Sequence, residues 1–160
     1  MSNYIKTPSS VINPKWTKRN QIIGKLIQDK KTVLDLGCGA KDLLNYIKPS
    51  KYHGIDYNDD LADSYADFNK PFEINDNWDY IVCSGVLEYL EDVNTIIQSI
   101  QNKADTYIIT YWTRAQNNNS FHNSNALSIS QFIQTISKTF NIKQTDTWTD
   151  QIIFVLTDIK

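Results

Sequence analysis

Short apolar runs alternate with amphipathic segments along this 160-residue chain. The apolar runs lack helical spacing and are bounded by glycine, proline or polar residues, which is typical of strands buried on both faces of a sheet. This pattern predicts strands at Thr32 to Leu36, Tyr52 to Asp56, Asp79 to Cys83 and Thr106 to Tyr111, with a shorter strand around Tyr65 to Phe68.

Helical spacing is found between these runs. Asn13 followed by Pro14 is typical of a helix start, and Ser128 with Gln131 forms a capping box. The apolar residues from Val93 to Ile100 recur at i, i+3, i+4 and i+7. We therefore predict helices at Pro14 to Gln28, Asp42 to Ile47, around Val93 to Ile100 and after Ser128.

The order of elements indicates an α/β fold. Strands and helices alternate several times, which predicts a doubly wound, mostly parallel sheet with helices on both faces. Two final β-like runs, Ile142 to Trp148 and Gln151 to Thr157, are joined closely enough to form an antiparallel hairpin. We predict one domain over residues 1–160, with residues 1–30 as an N-terminal helical cap and residues 31–160 as the core.

Composition and charge narrow the class of protein. A hydrophobic content of 41% is ordinary for a folded domain, and a net charge of -2 argues against a dedicated nucleic-acid binder. The segment from Lys15 to Lys31 nevertheless carries six cations against the single acid Asp29. It is either a solvated helix face or a peripheral contact to an anionic surface.

No apolar run is long enough to cross a bilayer, and the first residues lack the apolar stretch of a signal peptide. The sequence therefore predicts a cytoplasmic protein without a transmembrane segment. Cys38 and Cys83 lack the spacing of metal ligands, so we predict no metal site and expect both thiols to be free.

Two glycines stand where a ligand would be expected. Gly37 and Gly39 lie between a predicted strand and a predicted helix, where glycine allows the backbone to approach a ligand closely. Asp42 occupies the position at which a dinucleotide-binding motif has a third glycine or alanine, and an acid there opposes a pyrophosphate. The chain also lacks a phosphate-binding P-loop motif, which leaves a nucleoside-type ligand without phosphates.

The position of Asp56 indicates that the ligand contains a ribose. It ends the second predicted strand, 21 residues after Asp35, where an acid commonly accepts hydrogen bonds from ribose hydroxyls. The ends of adjacent parallel strands meet at one edge of the sheet, so Gly37 and Asp56 are expected to be close. Together they indicate an adenosine-like ligand.

The segments VLDLGCG, GID, DFN and WDYIVCSGVLEYLED, between Thr32 and Asp92, resemble the motif series of class I S-adenosylmethionine-dependent methyltransferases. This resemblance implies a Rossmann-like sheet of seven strands in the order 3-2-1-4-5-7-6, with the last strand antiparallel. It implies S-adenosylmethionine as cofactor and cofactor contacts from Asp35, Gly37, Cys38, Gly39, Asp56, Tyr57, Asp67, Phe68, Cys83 and Ser84. Asp67 can equally cap a turn.

The sequence departs from the family pattern at two positions. Lys41 stands where the family often has a third glycine, and Tyr89 stands where it frequently has a histidine. Because of the second departure, the family pattern does not specify the acceptor pocket of this chain.

Candidate catalytic residues follow the fourth and fifth predicted strands. Glu88 and Tyr89 follow the fourth, and His122, whose ordinary pKa suits a general base, follows the fifth. Few residues remain beyond the core fold, so we expect a small-molecule acceptor, such as a metabolite or a sugar of a surface-glycan or lipid precursor. Two alternatives stay open: a non-catalytic S-adenosylmethionine-binding sensor or partner subunit, and a nicotinamide-dependent oxidoreductase.

Overall fold

A computed structural model describes residues 14–58, 60–112, 125 and 127–160. Its strands are β1 (Thr32–Leu36), β2 (Lys51–Asp56), β3 (Ser64–Tyr65), β4 (Trp78–Cys83), β5 (Ala104–Trp112), β6 (Phe140–Trp148) and β7 (Gln151–Asp158). Its helices are α1 (Pro14–Gly24), α2 (Val93–Ile100) and α3 (Ile129–Ile136), and two 3₁₀ turns span Asp42–Tyr46 and Leu87–Tyr89.

The strands form one sheet in the order β3-β2-β1-β4-β5-β7-β6. Pairs among β1 to β5 are parallel, whereas β7 runs antiparallel to both β5 and β6. This topology confirms the predicted doubly wound fold and its reversed last strand.

Alternate strand residues bury two separate cores, one on each face of the sheet. On one face, Val33 and Val82 pack with Ile23 of α1. On the other face, Leu34 and Phe154 pack in the core that α2 and α3 complete. Because both faces are covered there, the central strands β1 and β4 are mostly apolar in sequence.

Helix α1 ends earlier than the predicted Gln28. After Gly24 the chain tightens into i→i+3 turns, in which the Ile27 N–H donates to the Gly24 carbonyl over 3.3 Å. A Cβ on Gly24 would lie 2.8 Å from the Cβ of Tyr46. The close approach of α1 to the Asp42–Tyr46 turn therefore depends on this glycine.

Two cations of the segment from Lys15 to Lys31 are engaged within the protein. Arg19 is buried beneath the sheet edge, and Lys31 forms an ion pair of 3.0 Å with Asp79. Within the residues that the structure describes, no helix has the length and apolar character that spanning a bilayer requires.

The antiparallel direction of β7 brings its first residues to the edge of the sheet at which the parallel strands end. The parallel strands β1, β2, β4 and β5 all end at this edge, which we call the carboxyl edge. Since β7 runs the other way, it begins there, and its first residue Gln151 pairs with Trp112 at the end of β5. The carboxyl edge therefore also holds residues from the C-terminal hairpin.

Candidate functional site

The loop after β1 requires glycine at its first position. Gly37 has φ +77°, and a Cβ on it would overlap the Cγ2 atom of Val86. Its N–H donates to the Ile55 carbonyl over 2.8 Å. The loop is thus packed tightly between the ends of β2 and β4.

Gly39, two residues later, has free space beside its backbone. It has φ +48°, and nothing lies within 4 Å of its Cβ position. Its N–H donates to the Asp56 carboxylate over 2.8 Å. The structure therefore brings the glycine loop and the acid ending β2 into direct contact, as the parallel topology predicts.

The Asp56 carboxylate is fixed at the carboxyl edge by backbone donors. One oxygen accepts the Gly39 N–H, and the other accepts the Asn58 N–H over 2.8 Å. A carboxylate oxygen has two lone pairs. Both oxygens of Asp56 therefore retain the capacity to accept a further hydrogen bond from a ligand.

Lys41, which stands where the family often has a third glycine, adopts a left-handed backbone conformation. Its φ of +57° is a conformation that glycine favours. Its ammonium group pairs with Asp63 over 2.6 Å, and Asp63 also accepts the Gly54 N–H over 2.8 Å. This ion pair ties the loop to the end of β2.

Asp35 is a buried carboxyl beneath the glycine loop. It is 5% exposed and accepts a hydrogen bond from the Tyr52 hydroxyl over 2.7 Å. Burial raises the pKa of Asp35 to about 6, although the Tyr52 hydroxyl acts in the opposite direction. Tyr52 was not anticipated from the sequence, because it lies in a predicted strand and no motif distinguishes it.

The remaining residues expected around the cofactor have varied surroundings. Cys38 is buried, with its Sγ atom 2.7 Å from the Cβ position of Gly54. The ring of Tyr57 lies 5.7 Å from that of Tyr65, centroid to centroid.

Asp67 makes contacts within a turn, whereas Phe68 packs in the hydrophobic core. Asp67 accepts the Asn69 N–H over 3.1 Å and pairs with Lys70 at 3.3 Å. Phe68 is 1% exposed and packs edge-on against Phe72. Their assignment to an adenine edge stays a prediction.

Residues at the end of β4 form a buried polar segment. Cys83 and Ser84 are both buried, and the Ser84 hydroxyl has no hydrogen-bond partner among the described residues. Gly85 follows with φ +68°, and its Cβ position lies 2.6 Å from the Nη1 atom of Arg19. The guanidinium of α1 therefore lies directly on the backbone at the end of β4.

Glu88 is the second buried acid of the site. It is carried by the Leu87–Tyr89 turn and is 2% exposed. Burial raises its pKa to about 7, although a backbone hydrogen bond and the charge of Arg19 act in the opposite direction. Its Oε2 atom has no hydrogen-bond partner within the described part of the chain.

A glutamine links this acid to the guanidinium. The Nη1 atom of Arg19 donates to the Oε1 atom of Gln151 over 3.1 Å, and the Nε2 atom of Gln151 donates to the Oε1 atom of Glu88 over 3.3 Å. Gln151 was not anticipated from the sequence, since it is 63 residues from Glu88 and no local pattern marks it.

Asn125 holds the backbone of the Leu87–Tyr89 turn. Its Nδ2 atom donates to the carbonyls of Leu87 and Leu90 over 2.7 and 3.0 Å. Its Oδ1 atom accepts the Tyr111 hydroxyl over 2.6 Å. This asparagine thereby connects the turn that carries Glu88 to β5.

Of the other candidate catalytic residues, Tyr89 follows Glu88 in the same turn, and burial raises its pKa. His122 lies outside the described residues. The described residues contain no cluster of three or more side chains suited to hold a metal ion.

Known proteins share both sequence and fold with this chain. The profile of a family described as "Methyltransferase domain" matches residues 13–144. No curated protein sequence gives a significant match.

Solved structures share the fold at low sequence identity. The PH0226 protein of Pyrococcus horikoshii OT3 has a TM-score of 0.72 at 12% identity, covering 96% of this chain and 94% of that one. The N-methyltransferase NodS of Bradyrhizobium japonicum WM9, in complex with S-adenosylhomocysteine, has 0.71 at 16%, covering 99% and 95%. Magnesium protoporphyrin IX methyltransferase of Synechocystis, with bound S-adenosylmethionine, has 0.67 at 13%, covering 91% and 81%.

Proposed function

Because this chain belongs to the methyltransferase-domain family, we propose that it transfers a methyl group from S-adenosylmethionine to a hydroxyl or amine of a small-molecule acceptor. The observation that carries the proposal is the carboxyl edge itself. There an open glycine loop, fixed to Asp56, is joined to the same sheet as a buried acid of nearly neutral pKa, Glu88.

The residues fit the cofactor in three respects. The open backbone at Gly39 admits a ligand, and the Asp56 carboxylate offers acceptors for the two ribose hydroxyls. Asp42 disfavours a pyrophosphate, which the cofactor lacks. When bound, S-adenosylmethionine supplies a methyl group already activated for in-line displacement.

Asp35 and Asp56 divide the binding task in this proposal. Asp35 provides a negative charge for the methionine ammonium, and Asp56 receives the ribose. Gly37 keeps the loop between them close to β4. Much of the catalysis then comes from holding the acceptor atom near attack distance.

Glu88 is the proton acceptor that we assign to a hydroxyl substrate. A general base is most effective when its pKa lies near the working pH, and Glu88 meets that condition. The acceptor hydroxyl would give up its proton to Glu88. S-adenosylmethionine, held by the glycine loop and Asp56, would supply the methyl group to the acceptor oxygen and leave as S-adenosylhomocysteine.

Replacement of Asp56 by alanine tests the cofactor site. We expect it to weaken S-adenosylhomocysteine binding by about 1–3 kcal/mol, roughly 5- to 150-fold in Kd, because hydrogen bonds to a charged acceptor are lost. Isothermal titration calorimetry measures this change.

NADH should not bind to the wild-type protein, which distinguishes the proposal from a nicotinamide-dependent oxidoreductase.

Asp63→Ala is the matched control for this variant. It removes the same charge near the same edge and also removes a backbone hydrogen bond, to Gly54, but leaves Asp56 in place. An equal loss of affinity in both variants would contradict the ribose assignment.

The affinity for S-adenosylhomocysteine should also depend on pH through Asp35. Burial raises the pKa of Asp35 to about 6, so the ionised form that attracts the ligand ammonium is lost as the pH falls through that value. Below it, Kd should rise by up to about tenfold per pH unit, the limit for one linked proton.

Tyr52→Phe provides the control for the pH dependence. It removes the hydrogen bond that lowers the pKa of Asp35, so the midpoint should move to higher pH. Glu88→Gln should leave this midpoint unchanged. A Kd that stays constant between pH 5 and pH 7.5 would remove Asp35 from the binding site.

A further inference from the structure

We propose that Gln151 is a positioning residue for methyl transfer: its amide holds the Glu88 carboxyl and the Arg19 guanidinium in one fixed arrangement and leaves Oε2 of Glu88 to receive the acceptor proton. This inference rests on the proposed role of Glu88 as proton acceptor. It concerns a residue that neither the family motifs nor the apolar pattern distinguishes.

The amide of Gln151 has a defined orientation because its two neighbours differ in charge. Its oxygen faces a guanidinium that can only donate, and its nitrogen faces a carboxyl oxygen that accepts. A flipped amide would place two donors against each other at Arg19. The surroundings therefore fix which end of the side chain meets Glu88.

This orientation distinguishes the two oxygens of Glu88. Oε1 is engaged by Gln151, whereas Oε2 is buried without a hydrogen-bond partner in the described part of the chain. A buried polar atom without a partner is rare in folded proteins. Oε2 is thus the oxygen to which a substrate hydroxyl donates.

The same bridge sets the charge around Glu88. Within the described residues, the charged groups that act on it are Arg19 from α1 and Asp150 from the hairpin turn. Tyr89 and Cys83 also lie near Glu88, and burial raises the pKa of each, so both are neutral. Arg19 favours the ionised carboxyl and Asp150 opposes it. By holding Arg19, Gln151 keeps this favourable charge close to Glu88.

The test follows the titration of Glu88 directly. The chain has three glutamates, Glu73, Glu88 and Glu91, so ¹³C-carboxyl labelling of glutamate gives three resonances in the wild-type protein and a fourth in each variant that introduces a glutamate. Glu88→Gln assigns the one that belongs to Glu88. No methyl acceptor is needed for this measurement.

Gln151→Glu should raise the titration midpoint of Glu88 by about one pH unit or more, because a donor is replaced by a like charge. Gln151→Met has a similar size and lacks both hydrogen bonds, so it should raise the midpoint by less. Gln144→Glu introduces the same charge at an exposed position of β6 and should leave the midpoint unchanged.

The outcomes separate this inference from the proposed function. An unchanged midpoint in both Gln151 variants would overturn the positioning role, even if S-adenosylhomocysteine binds normally. An equal shift in Gln144→Glu would also overturn it, since the effect would then be one of net charge. Shifted midpoints in a protein that does not bind S-adenosylhomocysteine would support the bridge and contradict the methyltransferase site.

Discussion

Glu88→Gln is expected to slow methyl transfer to a hydroxyl acceptor by about 10²- to 10⁴-fold, the usual contribution of a positioned general base. Glutamine keeps the size of the side chain but cannot take up the proton. The rate is measured as S-adenosylhomocysteine formed from radiolabelled S-adenosylmethionine with a panel of sugar acceptors.

The pH profile makes this expectation specific. In the wild-type protein the rate should rise with pH and level off above about 7, as Glu88 loses its proton. In Glu88→Gln that rise should be absent, while S-adenosylhomocysteine affinity is retained. An amine acceptor, which needs no base once it is neutral, should be affected much less.

Stability provides the control for folding. Burial raises the pKa of Glu88 from its usual 4.5 to about 7, so the folded state holds this proton more tightly than the unfolded state. The contribution of Glu88 to the free energy of unfolding therefore falls as the pH rises between these values and stays low above pH 7. Glu88→Gln should remove that decline.

Binding of S-adenosylhomocysteine without turnover of any acceptor would instead favour a non-catalytic binding protein.

Gly37→Ala is expected to lower the free energy of unfolding by about 2–5 kcal/mol. A left-handed backbone costs a residue with a Cβ roughly 1–2 kcal/mol, and overpacking a filled site costs about 1–3 kcal/mol more. Both apply, since Gly37 has φ +77° and its Cβ would overlap the side chain of Val86. Urea denaturation measures the change.

Gly39→Ala is the matched variant from the same loop. Gly39 also has a positive φ, but its Cβ would meet no atom within 4 Å. The Gly39→Ala variant should therefore lose only the free energy that a left-handed backbone costs, and it should be clearly more stable than Gly37→Ala. Equal losses would show that the contact with Val86 does not determine the need for glycine. The Gly39 variant should instead weaken ligand binding, because the added methyl group enters the open side of the loop.

The sheet could be predicted from the sequence because burial on both faces leaves a simple record. Strands such as β1 and β4 are short, mostly apolar runs, and the residues that end them lie at the ligand-facing edge in any parallel sheet. Asp56 and Gly39 could be assigned to one site for that reason. The short Leu87–Tyr89 turn has too few residues to show a period, so it was not predicted.

The acceptor side depends on contacts that no local pattern contains. Gln151 and Asn125 act through hydrogen bonds to residues far away in the sequence, and each resembles any polar surface residue when only its sequence neighbours are considered. Arg19 looked like one more cation of a basic helix, although its guanidinium is buried. The contact between Arg19 and Gln151 arises from the antiparallel course of β7, which only the assembled sheet reveals.

That course also sets an order of events during synthesis. β7 lies between β5 and β6 in the sheet, so β6 leaves the ribosome before the strand that attaches it has been made. Arg19 and Gln151 are 132 positions apart, whereas the glycine loop and Asp56 are 17 apart. The residues proposed to bind the donor are therefore synthesised well before Gln151, the residue that holds the proposed proton acceptor in place.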